Sequence, residues 1–453
     1  MNEWLAKNVV YRSIQSIRRE NVLKYLSNIR DIPQNSQAEI RGVQKEKLVR
    51  VLKNACKNIP YYRKLFNNCG ILVEELSLPE DISNIPVLTK EIFKQDLSLF
   101  MNTNHNGCVS EETTSGTVGN PLVIPIDRHK SASIRAVMYR NYGWYNIDVG
   151  DKQARFWGMP SAPKLHLRES LKDFFSNRIR LSAFNISDDA FRQFVKKLQK
   201  FRPKYFYGYP SLLYKFSQWL SDNKIAMNDL NLSAIICTGE VLYDFQRKGI
   251  GSTFQCKVVN EYGTTETGII AFECQDGNLH INSDHVYLES IKSEEFTDAG
   301  SLVVTELNNF YNPLIRYRLG DLGSISEDSC KCGIGFPILK NLTGREGNFI
   351  VTPTNKYIFS AILSYTFKDG IKQFQGIQNE KDELIIKIVR DKKLTDEMLI
   401  NYKKSLSHAL GEQMRIIFDD VPHIEAEKSG KLRYFISNLK EHPTDSEASS
   451  SKQ

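Results

Sequence analysis

Short strand candidates alternate with helical segments from Gly107 to about Leu342, and that alternation leaves few architectures open. In order they are strand Leu122–Ile126, helix Lys130–Tyr145, strand Ala154–Gly158, helix Asp188–Lys200, strand Tyr205–Tyr209, helix Ser211–Ser221 and strand Ala234–Cys237. Strands joined through helices pair in the same direction, so the pattern predicts an α/β domain with mainly parallel sheets. Ligands of such domains bind in the loops that follow the strands.

A chain of 453 residues exceeds what one hydrophobic core serves. Past Gly344 the pattern changes to helix Ile358–Phe367, strands Gln373–Gln378 and Glu383–Val389, helix Thr395–Leu410 and strand Arg415–Phe418. A small C-terminal α+β lid domain is the economical packing of that block. The expected division is a helical extension over 1–40, a large domain over 41–343, the lid over 344–440, and a Ser-rich disordered tail over 441–453. Upstream of the sheet, Leu48, Val51, Leu52, Ala55 and Ile59 recur at helical spacing and predict one amphipathic helix from Gln44 to Phe66.

The formal net charge is +7, spread without a long basic block, which argues against nucleic acid as a partner. No segment approaches the roughly 20 apolar residues of a membrane span. The N-terminus lacks a signal-peptide core, so a cytoplasmic location is expected. Trp4, Leu5, Val9, Val10, Ile14 and Ile17 stand among basic residues. They either lie on a membrane surface or, as expected here, pack on the main domain. Of the eight cysteines, Cys56, Cys69, Cys108, Cys237 and Cys256 are scattered and read as free thiols. Cys330 and Cys332 form a tight pair, with Cys274 and His280 earlier in the chain.

The segment Thr113, Thr114, Ser115, Gly116, Thr117, Val118, Gly119, Asn120, Pro121 combines hydroxyls with glycines. Glycines let backbone N–H groups approach an anion and hydroxyls add donors, so the loop suits phosphate; the bland reading is a solvated turn. Further on come Cys237-Thr-Gly239-Glu240, Asn260-Glu-Tyr-Gly-Thr-Thr-Glu266, Arg316-Tyr-Arg-Leu-Gly-Asp321, Gly344-Arg345 and Ser429-Gly-Lys431. In that order they resemble the adenylate-forming enzymes. The nearest likeness is to the phenylacetate–coenzyme A ligase family, including its branch found with capsular-polysaccharide biosynthesis. The resemblance runs from about Ser36 to Lys431.

What the resemblance implies is an ATP-dependent carboxylate ligase with the adenylate-forming fold, its large domain binding ATP and acid. The Thr113–Gly119 loop would hold the β- and γ-phosphates, although the family often has lysine where Asn120 stands. Tyr262 would lie against adenine, with Glu261, Gly263, Thr264 and Thr265 around the nucleotide and Gly239-Glu240 at another edge of the base. Glu266 would ligate magnesium, a hard cation that prefers oxygen. Asp321 would accept from the ribose hydroxyls and Arg345 would add a ribose or phosphate contact. Lys431 would neutralise charge on the carboxylate and α-phosphate as the acyl-adenylate forms. The bland alternatives are a tyrosine at a strand end, surface carboxylates, a capping aspartate and solvated cations.

Such ligases usually release pyrophosphate and then pass the acyl group to a thiol or an amine while the lid rotates. Coenzyme A is the expected acceptor, with an amino acid or amino sugar as the alternative. The family's acidic hinge pair is replaced here by Gly347-Asn348 after Glu346. Cys274, His280, Cys330 and Cys332 supply three thiolates and an imidazole, a closed tetrahedral set suited to structural zinc. His285 is a less well-placed substitute for His280, and four unliganded side chains are the plain alternative. The acid pocket is expected to draw on Trp157, Tyr207, Tyr209, Pro210 and the stretch after Thr267, which favours a flat or apolar acid. A homodimer is open. The rival from another class is a zinc-stabilised binding protein.

Overall fold

The computed structural model describes all residues except 33, 106–108, 114–122, 159–162, 185, 294–295, 346–348, 361, 368–369, 428–430 and 440–453. The Thr114–Gly119 part of the expected phosphate loop, the Gly347-Asn348 hinge, Ser429-Gly430 and the tail therefore lie outside the described residues.

The first strands, β1 (Val109–Thr113) and β2 (Val123–Asp127), form an antiparallel hairpin apart from the main sheet. Strands β3 (Gln153–Trp157), β4 (Arg178–Ser182), β5 (Tyr205–Gly208), β6 (Ala234–Thr238) and β7 (Val258–Thr264) then pair in the order β4-β3-β5-β6-β7, all parallel. Helices Asp188–Phe201, Pro210–Asp222 and Asp244–Phe254 cover one face of this layer, where Phe156, Phe206, Phe216, Ile235 and Leu198 form a common core. Helix Arg128–Gly143 covers the other, with Tyr142 packed among Tyr205, Ile236 and Val259. The central parallel strands β5 and β6 are thus buried on both sides, as the expected α/β domain requires, while β3 and the edge strand β4 are only partly covered.

The sheet does not stop at β7. Strands β8 (Gly268–Glu273), β9 (Leu279–Ile281), β10 (Val286–Ser293), β11 (Phe296–Glu306), β12 (Tyr317–Ser326) and β13 (Ile338–Arg345) continue it antiparallel. The complete eleven-stranded order is β10-β11-β12-β13-β9-β8-β7-β6-β5-β3-β4. Helix Gln37–Asn58 packs Leu48, Val51, Leu52 and Ala55 against the antiparallel part.

That helix runs across the expected boundary at residue 40, and the expected Gln44–Phe66 helix is two helices, Gln37–Asn58 and Pro60–Cys69. Ile59 between them is extended, because a residue before proline is pushed out of the helical region. At the N-terminus, Val22, Leu26 and Ile29 pack on Ala132, Ala136 and Val137 of helix Arg128–Gly143. Trp4 and Ile17 remain 67% and 82% exposed, but Ala6 is buried and Tyr11 packs edge-on against Tyr139 of helix Arg128–Gly143 at 5.9 Å, so the outer segment also rests one face on the main domain. No helix among the described residues is long and apolar enough to cross a membrane.

The C-terminal block has its own core. A hairpin of β14 (Phe349–Val351) and β15 (Tyr357–Phe359) leads to β16 (Ile371–Glu380), β17 (Glu383–Arg390), β18 (Arg415–Asp420) and β19 (Phe435–Ser437), arranged β18-β17-β16-β19. Leu406 and Leu410 of helix Asp396–Leu410 join Leu384, Ile386 and Ile388 beneath it. The expected helix Ile358–Phe367 shrinks to Ile362–Thr366, since Tyr357–Phe359 pairs with Phe349–Val351 instead.

Candidate active site

The carboxyl ends of β3, β5, β6 and β7 converge on one face. Alternation along each strand puts Arg155 and Trp157 of β3 on the same face as Tyr207 of β5 and Tyr209 just beyond it. The Trp157 ring stacks on Tyr209 at 4.1 Å and on Tyr207 at 5.8 Å, so three residues of the expected acid pocket do meet. Beside them Glu261 of β7 is buried, and it accepts the hydroxyls of Tyr142 and Tyr207, each at 3.1 Å. Burial lifts the Glu261 carboxyl to about 7 against the pull of those donors.

Gly239 follows β6 with φ +77°, a left-handed turn, and a Cβ there would stand 3.1 Å from the Tyr209 ring and 3.5 Å from Lys431 Cε. Only glycine fits both the turn and the approach. Lys431 Nζ lies 5.7 Å from the centre of the Tyr209 ring, which brings the expected catalytic lysine to the end of the parallel strands. The next residue fixes it there. Leu432 N donates to Glu240 Oε1 at 3.0 Å, and the same carboxylate accepts from Ser211 N at 3.0 Å and Ser211 Oγ at 2.9 Å. Burial raises the Glu240 pKa while these donors and Lys431 oppose it. Tyr434 completes the dock through Gln246 Nε2 at 2.8 Å and an edge contact with Tyr243 at 5.1 Å.

On the far side of β7, Tyr262 Oη donates to Asp321 Oδ2 at 2.7 Å, and burial beside that carboxylate holds the phenol well above its ordinary pKa. Arg345 stands opposite Asp321 in the β12–β13 ladder. A register shift between Tyr262 and Gly263 aims this turn, and a Cβ on Gly263 would fall 2.4 Å from the Gly268 carbonyl oxygen. Thr264 Oγ1 caps the turn by accepting from Thr267 N at 3.2 Å, and Thr265 is exposed. Glu266 sits in it with a side chain 13% exposed, 3.9 Å from Lys90 Nζ. Its carbonyl accepts from Lys130 Nζ at 2.7 Å, and Lys130 is itself buried against Glu306 at 2.7 Å. Thr113 ends β1 opposite Val123, so the hairpin delivers the loop from paired strands.

Sequence reasoning passed over Lys90, Lys130 and Arg155. Each is a single basic residue without a motif, and the contacts that tie it to Glu266, Glu306 or Tyr207 span 52 to 176 positions of sequence. Only the fold pairs them with the site.

A second cluster lies where the β8–β9 turn meets the β12–β13 loop. The ligand atoms of Cys274, His280, Cys330 and Cys332 all fall within 4.8 Å of one another. Cys274 Sγ is 3.7 Å from Cys330 Sγ, close to the roughly 3.8 Å edge of a tetrahedron with zinc–sulfur bonds of about 2.3 Å. Cys332 Sγ is 3.3 Å from His280 Nε2, and His280 Nδ1 lies 2.7 Å from the Phe336 carbonyl, which leaves Nε2 free to face the thiols. The donors fit a closed zinc site. His285, the alternative fourth ligand, is turned elsewhere, with Nδ1 3.1 Å from Asn308 Nδ2.

Residues 344–438 match the family described as the CapK C-terminal domain. The chain is similar to Protein CapK of Staphylococcus aureus, 22% identical over 425 residues that cover 90% of each chain. It is 26% identical to a phenylacetate-coenzyme A ligase of Pseudomonas putida, over 62% of this chain and 66% of that one. Among solved structures, 2-hydroxyisobutyryl-CoA ligase in the postadenylation state with 2-HIB-AMP superposes with a TM-score of 0.70 over 92% of both chains, at 18% identity. Residues 344–438 thus form a CapK C-terminal domain, and the similarity of the full chain to CapK and to phenylacetate-coenzyme A ligases supports a CapK-like adenylate-forming enzyme.

Proposed function

We propose that this AMP-forming acid ligase activates a small carboxylic acid with ATP, releases pyrophosphate, and transfers the acyl group to the thiol of coenzyme A. The observation that carries the reading is the placement of Lys431 against Tyr209 and Gly239, at the ends of the parallel strands. There the ammonium offsets the charge that grows between the attacking carboxylate and the α-phosphate. Tyr262 and Asp321 lie side by side to take base and ribose. Arg345, opposite Asp321 in the ladder, adds a contact from the next strand. The Thr113–Gly119 segment, which lies outside the described residues beyond Thr113, holds the outer phosphates in this reading. Glu266, with Lys90 at 3.9 Å, keeps a carboxylate and a cation together beside them. Magnesium, when bound, screens the triphosphate and is held through Glu266.

The Cys274, His280, Cys330 and Cys332 set holds structural zinc in this reading. With four protein ligands it leaves no position for substrate, and its role is to tie two loops of the antiparallel layer together.

Pyrophosphate release should be measured across a panel of carboxylic acids, with and without coenzyme A, and the products identified by mass. Acid-dependent release with a thioester product is expected. An amide formed with an amino acid or amino sugar would replace the thiol as acceptor, and release that ignores every acid would remove the ligase reading.

A further inference from the structure

Among the described residues, no carboxylate is hydrogen-bonded to Arg155 in the wall of the acid pocket, and Glu261 acts on it only through space. Its guanidinium carbon lies 4.8 Å from the Trp157 ring and 5.1 Å from the Tyr207 ring, and its Nε is buried with no hydrogen-bond acceptor. The arginines beside it on β4 are different. Arg178 pairs with Asp173 at 2.5 Å, and Arg180 with Asp173 at 2.8 Å and Glu169 at 3.1 Å. The nearby Glu261 carboxylate is already taken by Tyr142 and Tyr207.

Two aromatic faces flank a half-buried guanidinium whose Nε is unmet, and an oxygen acceptor on a ligand would offset that cost. The pocket also has a direction. Lys431 lies against Tyr209, Tyr209 stacks on Trp157, and Arg155 lies one pleat back along β3, opposite Tyr207. Lys431 marks the end where the reacting carboxylate belongs, and Arg155 stands at the far end of the aromatic stack.

We infer that the acid this enzyme activates carries a second oxygen acceptor on its tail, a carboxylate, hydroxyl or keto oxygen, and that Arg155 selects for it. The inference rests on the ligase reading above and narrows its substrate class. An acid held between Lys431 and Arg155 is flat enough for the Trp157–Tyr209 stack and polar at both ends. The flat or wholly apolar acid expected from the aromatic residues alone would leave Arg155 unmet.

The test is pyrophosphate release with matched acids: phenylacetate against 4-hydroxyphenylacetate and 4-carboxyphenylacetate, and hexanoate against adipate. The wild-type enzyme should favour the oxygen-bearing member of at least one pair by about tenfold or more in kcat/KM, because a site built around a donor rejects ligands that lack the acceptor. Arg155→Met should collapse that ratio toward about one through KM rather than kcat, and Arg155→Lys should keep part of it. A wild-type preference for the bare acids overturns the inference and leaves the ligase reading standing. So does an equal loss on both members of a pair in Arg155→Met. No release with any acid counts against the ligase reading itself, and the role of Arg155 falls with it.

Discussion

Tyr262 Oη and Asp321 Oδ2 are 2.7 Å apart although their strands, β7 and β12, are separated by three others in the sheet. Laid flat, four strand spacings would hold them about 19 Å apart. The antiparallel half must therefore curl back over the edge of the parallel half, and the contact marks where the curl closes. Asp321→Ala should leave the Tyr262 hydroxyl unpaired, cost about 1–3 kcal/mol of stability, and raise the KM for ATP more than that for the acid. Calorimetric melting and steady-state kinetics read the two effects, and an unaltered KM for ATP would detach Asp321 from nucleotide binding.

Lys431 should act in adenylation. Lys431→Ala is expected to lower acid-dependent pyrophosphate exchange by about two to four powers of ten while ATP still binds, as loss of a main transition-state donor does. Exchange at the wild-type rate would remove the lysine from the chemistry.

Glu261 should make stability depend on pH. Its folded carboxyl titrates near about 7, above the ordinary 4.5, because burial disfavours the charged form. Between those values the unfolded chain has lost the proton and the native one keeps it, so stability falls as pH rises from about 4.5 to 7. The full difference is on the order of 3 kcal/mol. Glu261→Gln should flatten that limb in urea titrations followed from pH 5 to 8. A limb of the same slope in the variant would assign it to another group.

The thiol–imidazole cluster should hold about one zinc per chain in protein purified without metal or affinity tags. Cys332→Ser should lower both the zinc content and the melting temperature. Metal-free wild-type protein of the same stability as the zinc-loaded form would dismiss the site.

Much of the site was legible because its parts are local. Glu261 to Glu266 are consecutive, Asp321 and Lys431 end short glycine-containing runs, and thiols with an imidazole are rare enough to stand out. His280 was already preferred over His285 in the sequence, and the β9–β13 pairing sets it opposite Ile338, at the end of the loop that carries Cys330 and Cys332. Strand β4 was missed because Arg178 and Arg180 make it read as polar; at the sheet edge they are neutralised by Asp173 and Glu169 of the preceding helix. The six-strand antiparallel extension was missed for another reason. Its strands pair out of chain order, with β13 placed between β12 and β9, and short-range periodicity carries no information about such neighbours. Arg155 went unnoticed because a lone arginine in a strand looks like any solvated one until its partners are counted.

Glu240 holds two parts of the molecule with one carboxylate: Ser211, at the start of a helix, supplies two donors, and Leu432 of the C-terminal domain supplies one. Were that domain to rotate, Glu240 would lose only its Leu432 bond and keep the two from Ser211. A single hydrogen bond to a charged group contributes about 1.5–3 kcal/mol. With the Gln246–Tyr434 bond and the Tyr243–Tyr434 contact beside it, the Leu432 bond is one of a few contacts that dock the C-terminal domain here, each comparable to the differential affinity of one ligand. The two Ser211 donors hold Glu240 oriented for Leu432 whether or not that bond is made.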